Sequence, residues 1–254
     1  MRALPIAGLG IVAGLILAPT NASANPTTFA QTTQNNSTSQ FSIFQSGGMT
    51  TVSATGQDFF SFLIGGTPFG APVLANFTLT ASTSQTGNCG TAGCPNGDSF
   101  TQQGYTGTFQ YLVAAGAFAG MNLLSGSFGV NATPANSGGQ LNSSINGTGG
   151  SYLSTQTGTN PTGIVMSSDF LSFSGVSVES GSWALSGLSP NFAVNATAGT
   201  ATLPLNSQAF LSAGVATFAS EPPPTGAPEP ATLALMGTAL VGLGLIGRKR
   251  FASS

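Results

Sequence analysis

From Val73 to Ser82 the chain alternates without a break. Val73, Ala75, Phe77, Leu79 and Ala81 take the odd positions, and Leu74, Asn76, Thr78, Thr80 and Ser82 the even ones. A period of two sends successive side chains to opposite faces, so this segment predicts a half-buried strand with a mostly polar outer face. Tyr105, Gly107, Phe109, Tyr111 and Val113 alternate in the same way with Thr106, Thr108, Gln110 and Leu112. Phe192, Val194, Ala196 and Ala198 predict another such strand. Phe170-Leu171-Ser172-Phe173 changes phase across Gly175 to reach Val176 and Val178, which predicts a strand with a β-bulge.

Turn-forming clusters separate these runs: Ser46-Gly47-Gly48, Gly65-Gly66, Asn96-Gly97-Asp98, Asn136-Ser137-Gly138-Gly139 and Asn146-Gly147-Thr148-Gly149-Gly150. No helical period of useful length occurs between Asn25 and Glu221. Many short strands punctuated this way predict an all-β chain, a single antiparallel β-sandwich or barrel-like domain over residues 25–220. Asn131 to Asn160 reads either as a loop or as a pair of irregular strands.

Both ends break the alternation. Arg2, the apolar run Ile6–Ala18 and Ala22-Ser23-Ala24 are the three parts of a secretory signal peptide over residues 1–24, with cleavage before Asn25. An uncleaved anchor or a buried helix is the alternative. The short apolar run, and Pro19, Thr20 and Asn21 before the small residues, favour cleavage. At the far end, residues 221–230 form a linker rich in proline, including Pro222, Pro223, Pro224, Pro228 and Pro230. Ala231–Ile246 then runs sixteen residues without a charge, and Arg248, Lys249 and Arg250 follow Gly247. The expectation for 231–254 is a transmembrane helix with its basic tail on the cytoplasmic side.

Charge sharpens the picture. Only 4% of residues are charged, and Arg2, Arg248, Lys249 and Arg250 are the only bases in a chain without histidine. The body carries Asp58, Asp98, Asp169, Glu179 and Glu221 and no cation. Nucleic-acid binding, which needs Lys or Arg against phosphate, is excluded, and charge-based capture of phosphates or carboxylates is disfavoured. Low complexity and 36 glycines suggest disorder as an alternative, but 18 phenylalanines argue for a chain that buries a core.

Pro228-Glu229-Pro230, the following Ala-Thr-Leu-Ala-Leu, the glycine-rich apolar run and the Arg248-Lys249-Arg250 cap together resemble the PEP-CTERM sorting domain. The resemblance implies a bacterial exported protein handled by an exosortase-type membrane peptidase, which occurs alongside exopolysaccharide biosynthesis. It implies inner-membrane anchoring through the C-terminal helix, then a cell-surface or extracellular location. It implies nothing about the body, since one tail serves many bodies. Gly120–Phe128 and Ser168–Phe173 look like segments recurring in proteins with such tails, and carry no activity with them.

Candidate chemistry in the body is sparse. Cys89 and Cys94, in an exported chain with two cysteines, are expected to form a disulfide. No cofactor is expected, and a metal site would lack histidine ligands. Asn96-Gly97-Asp98 could lend oxygens to a weak calcium site, although a hairpin turn explains it more simply. Sequons such as Asn76-Phe77-Thr78 and Asn195-Ala196-Thr197 arise by chance in such a composition. Trp183, Tyr105, Tyr111 and Tyr152 are candidates to stack on sugar rings, Trp183 more simply a core residue. The expected function is a non-enzymatic structural protein of the cell surface or exopolysaccharide (biofilm) matrix. The alternative is a polysaccharide-binding or polysaccharide-modifying protein that uses surface aromatics or the Asp169 and Glu179 carboxylates.

Overall fold

The computed structural model describes residues 26–35, 39–64, 66–91, 93–129, 138–155, 164–194, 202–203, 210–221 and 224–226. These residues form strands and turns with no helix. The strands are β1 (Thr27–Gln34), β2 (Phe41–Ser46), β3 (Met49–Ile64), β4 (Thr67–Pro68), β5 (Val73–Thr83), β6 (Gly87–Cys89), β7 (Ser99–Val113) and β8 (Asn122–Phe128). They continue as β9 (Gly139–Ser144), β10 (Gly149–Thr155), β11 (Ile164–Ser167), β12 (Leu171–Ser172), β13 (Val178–Ser189), β14 (Thr202–Leu203), β15 (Phe210–Glu221) and β16 (Thr225–Gly226). Among the described residues no helix is long and apolar enough to cross a membrane. The expected signal helix with Ala22, Ala24 and Asn25 lies outside them, as do the sorting residues Pro228, Glu229, Pro230, Arg248, Lys249 and Arg250.

Every pairing is antiparallel, as expected for an all-β chain. Hydrogen-bonded neighbours run β1–β3–β5–β7–β9–β10–β13–β15 and return from β15 to β1, so the circuit of pairings closes on itself. Two positions in this circuit are shared by strands lying end to end. β2 and β1 both bridge β3 and β15, at opposite halves, and β9 and β8 take successive halves of one edge of β7.

The alternation expected in β5 is realised from Ala75 onward: Ala75, Phe77, Leu79 and Ala81 are buried and Asn76, Thr78 and Thr80 exposed, while Val73 at the strand's start is exposed rather than buried. In β7, Tyr105, Phe109, Tyr111 and Val113 point inward as expected. The strand also continues backward to Ser99, where Phe100 and Gln102 point inward on even positions. The change of parity falls at Gly104 (φ 76°), where the register with β9 shifts between Gln102 and Tyr105. A residue in the left-handed region inserts one position into the ladder, which is a bulge with glycine as its natural occupant.

Three expectations are corrected or resolved. Phe170–Val178 is not one bulged strand: Leu171–Ser172 pairs with β16, then a turn at Gly175 (φ 82°) leads into β13. Asn191–Ala193 is not a strand, because Phe192 leaves the sheet to pack on Phe100 at 5.0 Å and to exchange backbone hydrogen bonds with Asn146 and Gly147; 195–198 lie outside the described residues. Within Asn131–Asn160, 139–155 form the paired strands β9 and β10.

Rings fill the interior. Phe77 stacks on Tyr111 (4.5 Å, 11°), and Phe109 stacks on Phe218 (5.3 Å, 16°). Trp183 meets Phe109 and Phe218 edge-on at 5.2 and 5.4 Å. Each such pair contributes about 0.5–1.5 kcal/mol beyond its burial. This stack ties β5, β7, β13 and β15 together across the interior.

Candidate functional site

The strand registers arrange the outer polar faces into rows that single strands do not reveal. Along one row Ser42 lies opposite Ser53, Ser53 opposite Thr80, Thr80 opposite Thr108, and Thr108 opposite Ser127. A second row runs Thr55, Thr78, Gln110, Ser125 and Ser167 across β3, β5, β7, β8 and β11. A third runs Thr51, Ser82 and Thr106. Neighbours sit about 4.8 Å apart across strands and roughly 6.8 Å apart along them. The result is a lattice of hydroxyl and amide groups without a charge.

Some lattice members brace one another: Ser42 Oγ lies 2.8 Å from Ser53 Oγ, Ser125 Oγ 2.9 Å from Ser167 Oγ, and Gln57 Nε2 donates to Asn76 Oδ1 at 3.0 Å. Thr78, Thr80, Thr106, Thr108 and Gln110 are exposed. A shallow depression of about 430 Å³ lies over the second row, and its lining mixes polar Thr78, Thr108, Gln110, Ser125, Ser127 and Ser167 with apolar Phe109, Val165 and Met166. Each neutral hydrogen bond made here replaces one to water and nets only about 0.5–1.5 kcal/mol, so grip must come from many contacts at once.

The two carboxylates read as candidate catalysts are each engaged in holding strands. Glu179 is buried at the start of β13, and its Oε2 accepts a 2.7 Å hydrogen bond from Met166 N–H on β11. Burial raises its pKa to about 7 against the lowering effect of that hydrogen bond. Asp169 is exposed, and its Oδ2 accepts from Asn122 N–H at 2.8 Å while its own N–H donates to Asn122 O at 2.9 Å. Sequence reasoning overlooked Asp58, which lies on the inward face of β3. Burial raises its pKa to about 6, opposed by a 2.9 Å hydrogen bond from Gln40 Nε2. No run of apolar residues marks Asp58 as internal; the signal is its even position in step with Val52, Ala54 and Phe60.

Trp183, Tyr105 and Tyr111 are fully enclosed and cannot stack on a sugar; they belong to the core. The side chain of Tyr152 lies outside the described residues. Cys89 and Cys94 form a disulfide with Cα atoms 5.4 Å apart. Asp98 secures that loop, accepting from Thr91 N–H at 2.6 Å and from its neighbour Ser99 N–H at 2.9 Å. Asp98 N–H donates to Pro95 O at 3.0 Å, which closes Asn96-Gly97-Asp98 into a turn with Gly97 at φ 85°, and Gly97 N–H ties that turn to Ile145 O. Among the described residues no three His, Cys, Asp or Glu side chains gather as a metal set.

Comparison with curated proteins and with solved structures returns no match. A family model does match the end of the chain: residues 227–250 fit the PEP-CTERM protein-sorting motif. The chain thus carries a PEP-CTERM protein-sorting motif at residues 227–250, joined to an all-β body through the short strand Thr225–Gly226.

Proposed function

We propose that this is an exported cell-surface or extracellular-matrix protein whose body meets neutral polysaccharide through the hydroxyl lattice, without catalysis. The sorting motif implies export, membrane anchoring and processing by an exosortase-type peptidase. The observation that carries the reading of the body is the uncharged lattice across β2, β3, β5, β7, β8 and β11, aligned by register. Neutral sugar hydroxyls are matched by Ser, Thr, Asn and Gln, which both donate and accept. A surface without cations has nothing to offer an anionic polymer. The non-catalytic assignment draws on the structural use of Asp169 and Glu179, each of which has one carboxylate oxygen held by a backbone N–H group of a neighbouring segment.

The test is retention of the full chain on immobilised neutral and acidic polysaccharides. Retention on a neutral polymer that survives high salt is expected, and T78D/T108D should weaken it at least about tenfold, since each charge disrupts several shared contacts. Retention only on acidic polymers, or equal retention of the variant, would overturn the reading. Release of reducing ends during incubation would instead favour a polysaccharide-modifying enzyme.

A further inference from the structure

One end of the body is apolar. Ile64, at the end of β3, and Phe69, just after β4, are 65% and 68% exposed. Phe118, in the turn between β7 and β8, is 60% exposed, with its ring 6.4 Å from that of Phe170. Beneath this rim lies a groove of about 640 Å³ whose walls include Phe29, Phe62, Leu63, Phe170, Leu171 and Pro224. Phe62 and Phe170 pack at 6.1 Å, and Phe62 continues inward to Phe60 at 5.0 Å, so the groove opens from the core itself.

The chain leaves the body at this groove. Thr225–Gly226 pairs with Leu171–Ser172, and Pro224 is part of the wall. Seven Cα-to-Cα steps separate Pro224 from Ala231, where the uncharged run begins. Fully extended, they reach no more than about 25 Å. Thr27 and Thr28 also line the groove, two to three residues after the expected first mature residue, Asn25. Both segments expected to meet the membrane therefore join the body at its apolar end.

We propose that this end seats on the lipid–water interface of the membrane that holds the tail, with Ile64, Phe69 and Phe118 entering the boundary between headgroups and acyl chains. The proposal rests on 231–247 spanning that membrane. A short tether holds the groove near the bilayer, and exposed Phe and Ile side chains gain by leaving water there. Charge plays no attractive part, since the body has no cation. Asp169, next to Phe170, and Glu221, three residues before Pro224, oppose anionic headgroups, so seating is firmest on neutral lipid.

The test uses the full chain in phosphatidylcholine vesicles with F69W as reporter and M49W as control. Met49 begins β3 and Ile64 ends it, about 50 Å apart along the strand. F69W should emit at shorter wavelength in vesicles, be quenched several-fold more by brominated lipid than M49W, and be shielded from aqueous iodide. Adding I64S and F118S should abolish these differences while the emission of enclosed Trp183 and flotation with vesicles persist. Equal behaviour of the two reporters overturns the proposal. Shielding of F69W from iodide without lipid quenching also overturns it, because a second copy or a soluble ligand then covers the groove. Loss of flotation by the unsubstituted chain would show that the tail does not insert, and the proposal would fail with it.

Discussion

The indole Nε1–H of Trp183 donates a 3.1 Å hydrogen bond to the Tyr111 hydroxyl, linking β13 to β7 through the interior. Both rings are fully enclosed, and the contact spans 72 positions in sequence. Burial raises the Tyr111 pKa well above its ordinary value, and the nearby Asp58 charge pushes it the same way. The hydroxyl therefore stays protonated and available as an acceptor for the indole.

Removing that hydroxyl should cost more than its small volume suggests. Tyr111→Phe keeps the stacking on Phe77 but removes the hydroxyl to which the buried indole N–H donates, a loss of about 1–3 kcal/mol. Urea unfolding should show a lower midpoint at unchanged slope. A midpoint equal to that of the parent would mean that the indole finds another acceptor.

Acidity should stabilise this body, against the usual trend for acidic proteins. The Glu179 pKa rises from 4.5 to about 7 on folding, because burial penalises its charge. Between those values the folded state binds more protons than the unfolded one, so stability falls as pH rises and the contribution is gone above the folded value. Asp58, raised from 3.8 to about 6 by burial, acts with the same sign at lower pH. Melting at pH 5 should therefore lie above melting at pH 8. Glu179→Gln, which keeps an acceptor for Met166 N–H, should remove about 2–4 °C of that difference. An unchanged pH profile in the variant would assign the effect elsewhere.

Much of the strand content is legible in the sequence, and the exceptions have physical causes. β5 declares itself because each odd position from Val73 to Ala81 is apolar and each even one, Leu74 apart, is polar. The first half of β7 does not, because the bulge at Gly104 reverses its parity and Gln102 points inward. That inward amide is satisfied at long range: Tyr105 Oη donates to its Oε1 at 2.7 Å, and its Nε2 donates to Thr50 Oγ1 at 3.0 Å. β3 is obscured in the same way by inward Thr50 and Asp58, whose partners are Gln102 on β7 and Gln40, just before β2. The lattice is half legible. Its polar faces follow from period two, but its rows depend on registers fixed by which strands become neighbours. The apolar groove is not legible, because Phe29, Phe62 and Phe170 come from three separate segments.

One glycine has a sharply defined role in those registers. A Cβ at Gly107 would collide with the carbonyl oxygen of Thr80 and lie 2.5 Å from Ala81 Cα, both on backbone that cannot swing away. The alternation of β7 counts Gly107 as an apolar position, and the packing leaves it room only for hydrogen. Gly107→Ala should destabilise by at least about 1–3 kcal/mol, as overpacking does. Gly47→Ala is a useful contrast: its φ of 57° imposes strain, but nothing stands within 4 Å of the added carbon. Thermal melts of the two variants should place Gly107→Ala lower, and the reverse order would mean that β5 and β7 can separate without penalty.

Processing at the sorting motif can be read from mass alone. Each proline of Pro228-Glu229-Pro230 lacks the N–H that a helix needs and disfavours helical geometry in the residue before it. Processing at the motif is expected to remove the tail that ends in Arg248, Lys249 and Arg250. Protein recovered from the cell surface should therefore have an intact mass that lacks Arg248–Arg250 and the apolar run before them. Pro228→Ala/Pro230→Ala, which removes both prolines of the motif, should leave the full tail in place and keep the protein with the membrane fraction. A surface form that retains Arg248–Arg250 would make the tail a permanent anchor, and the apolar groove would then stay within reach of the bilayer for the life of the protein.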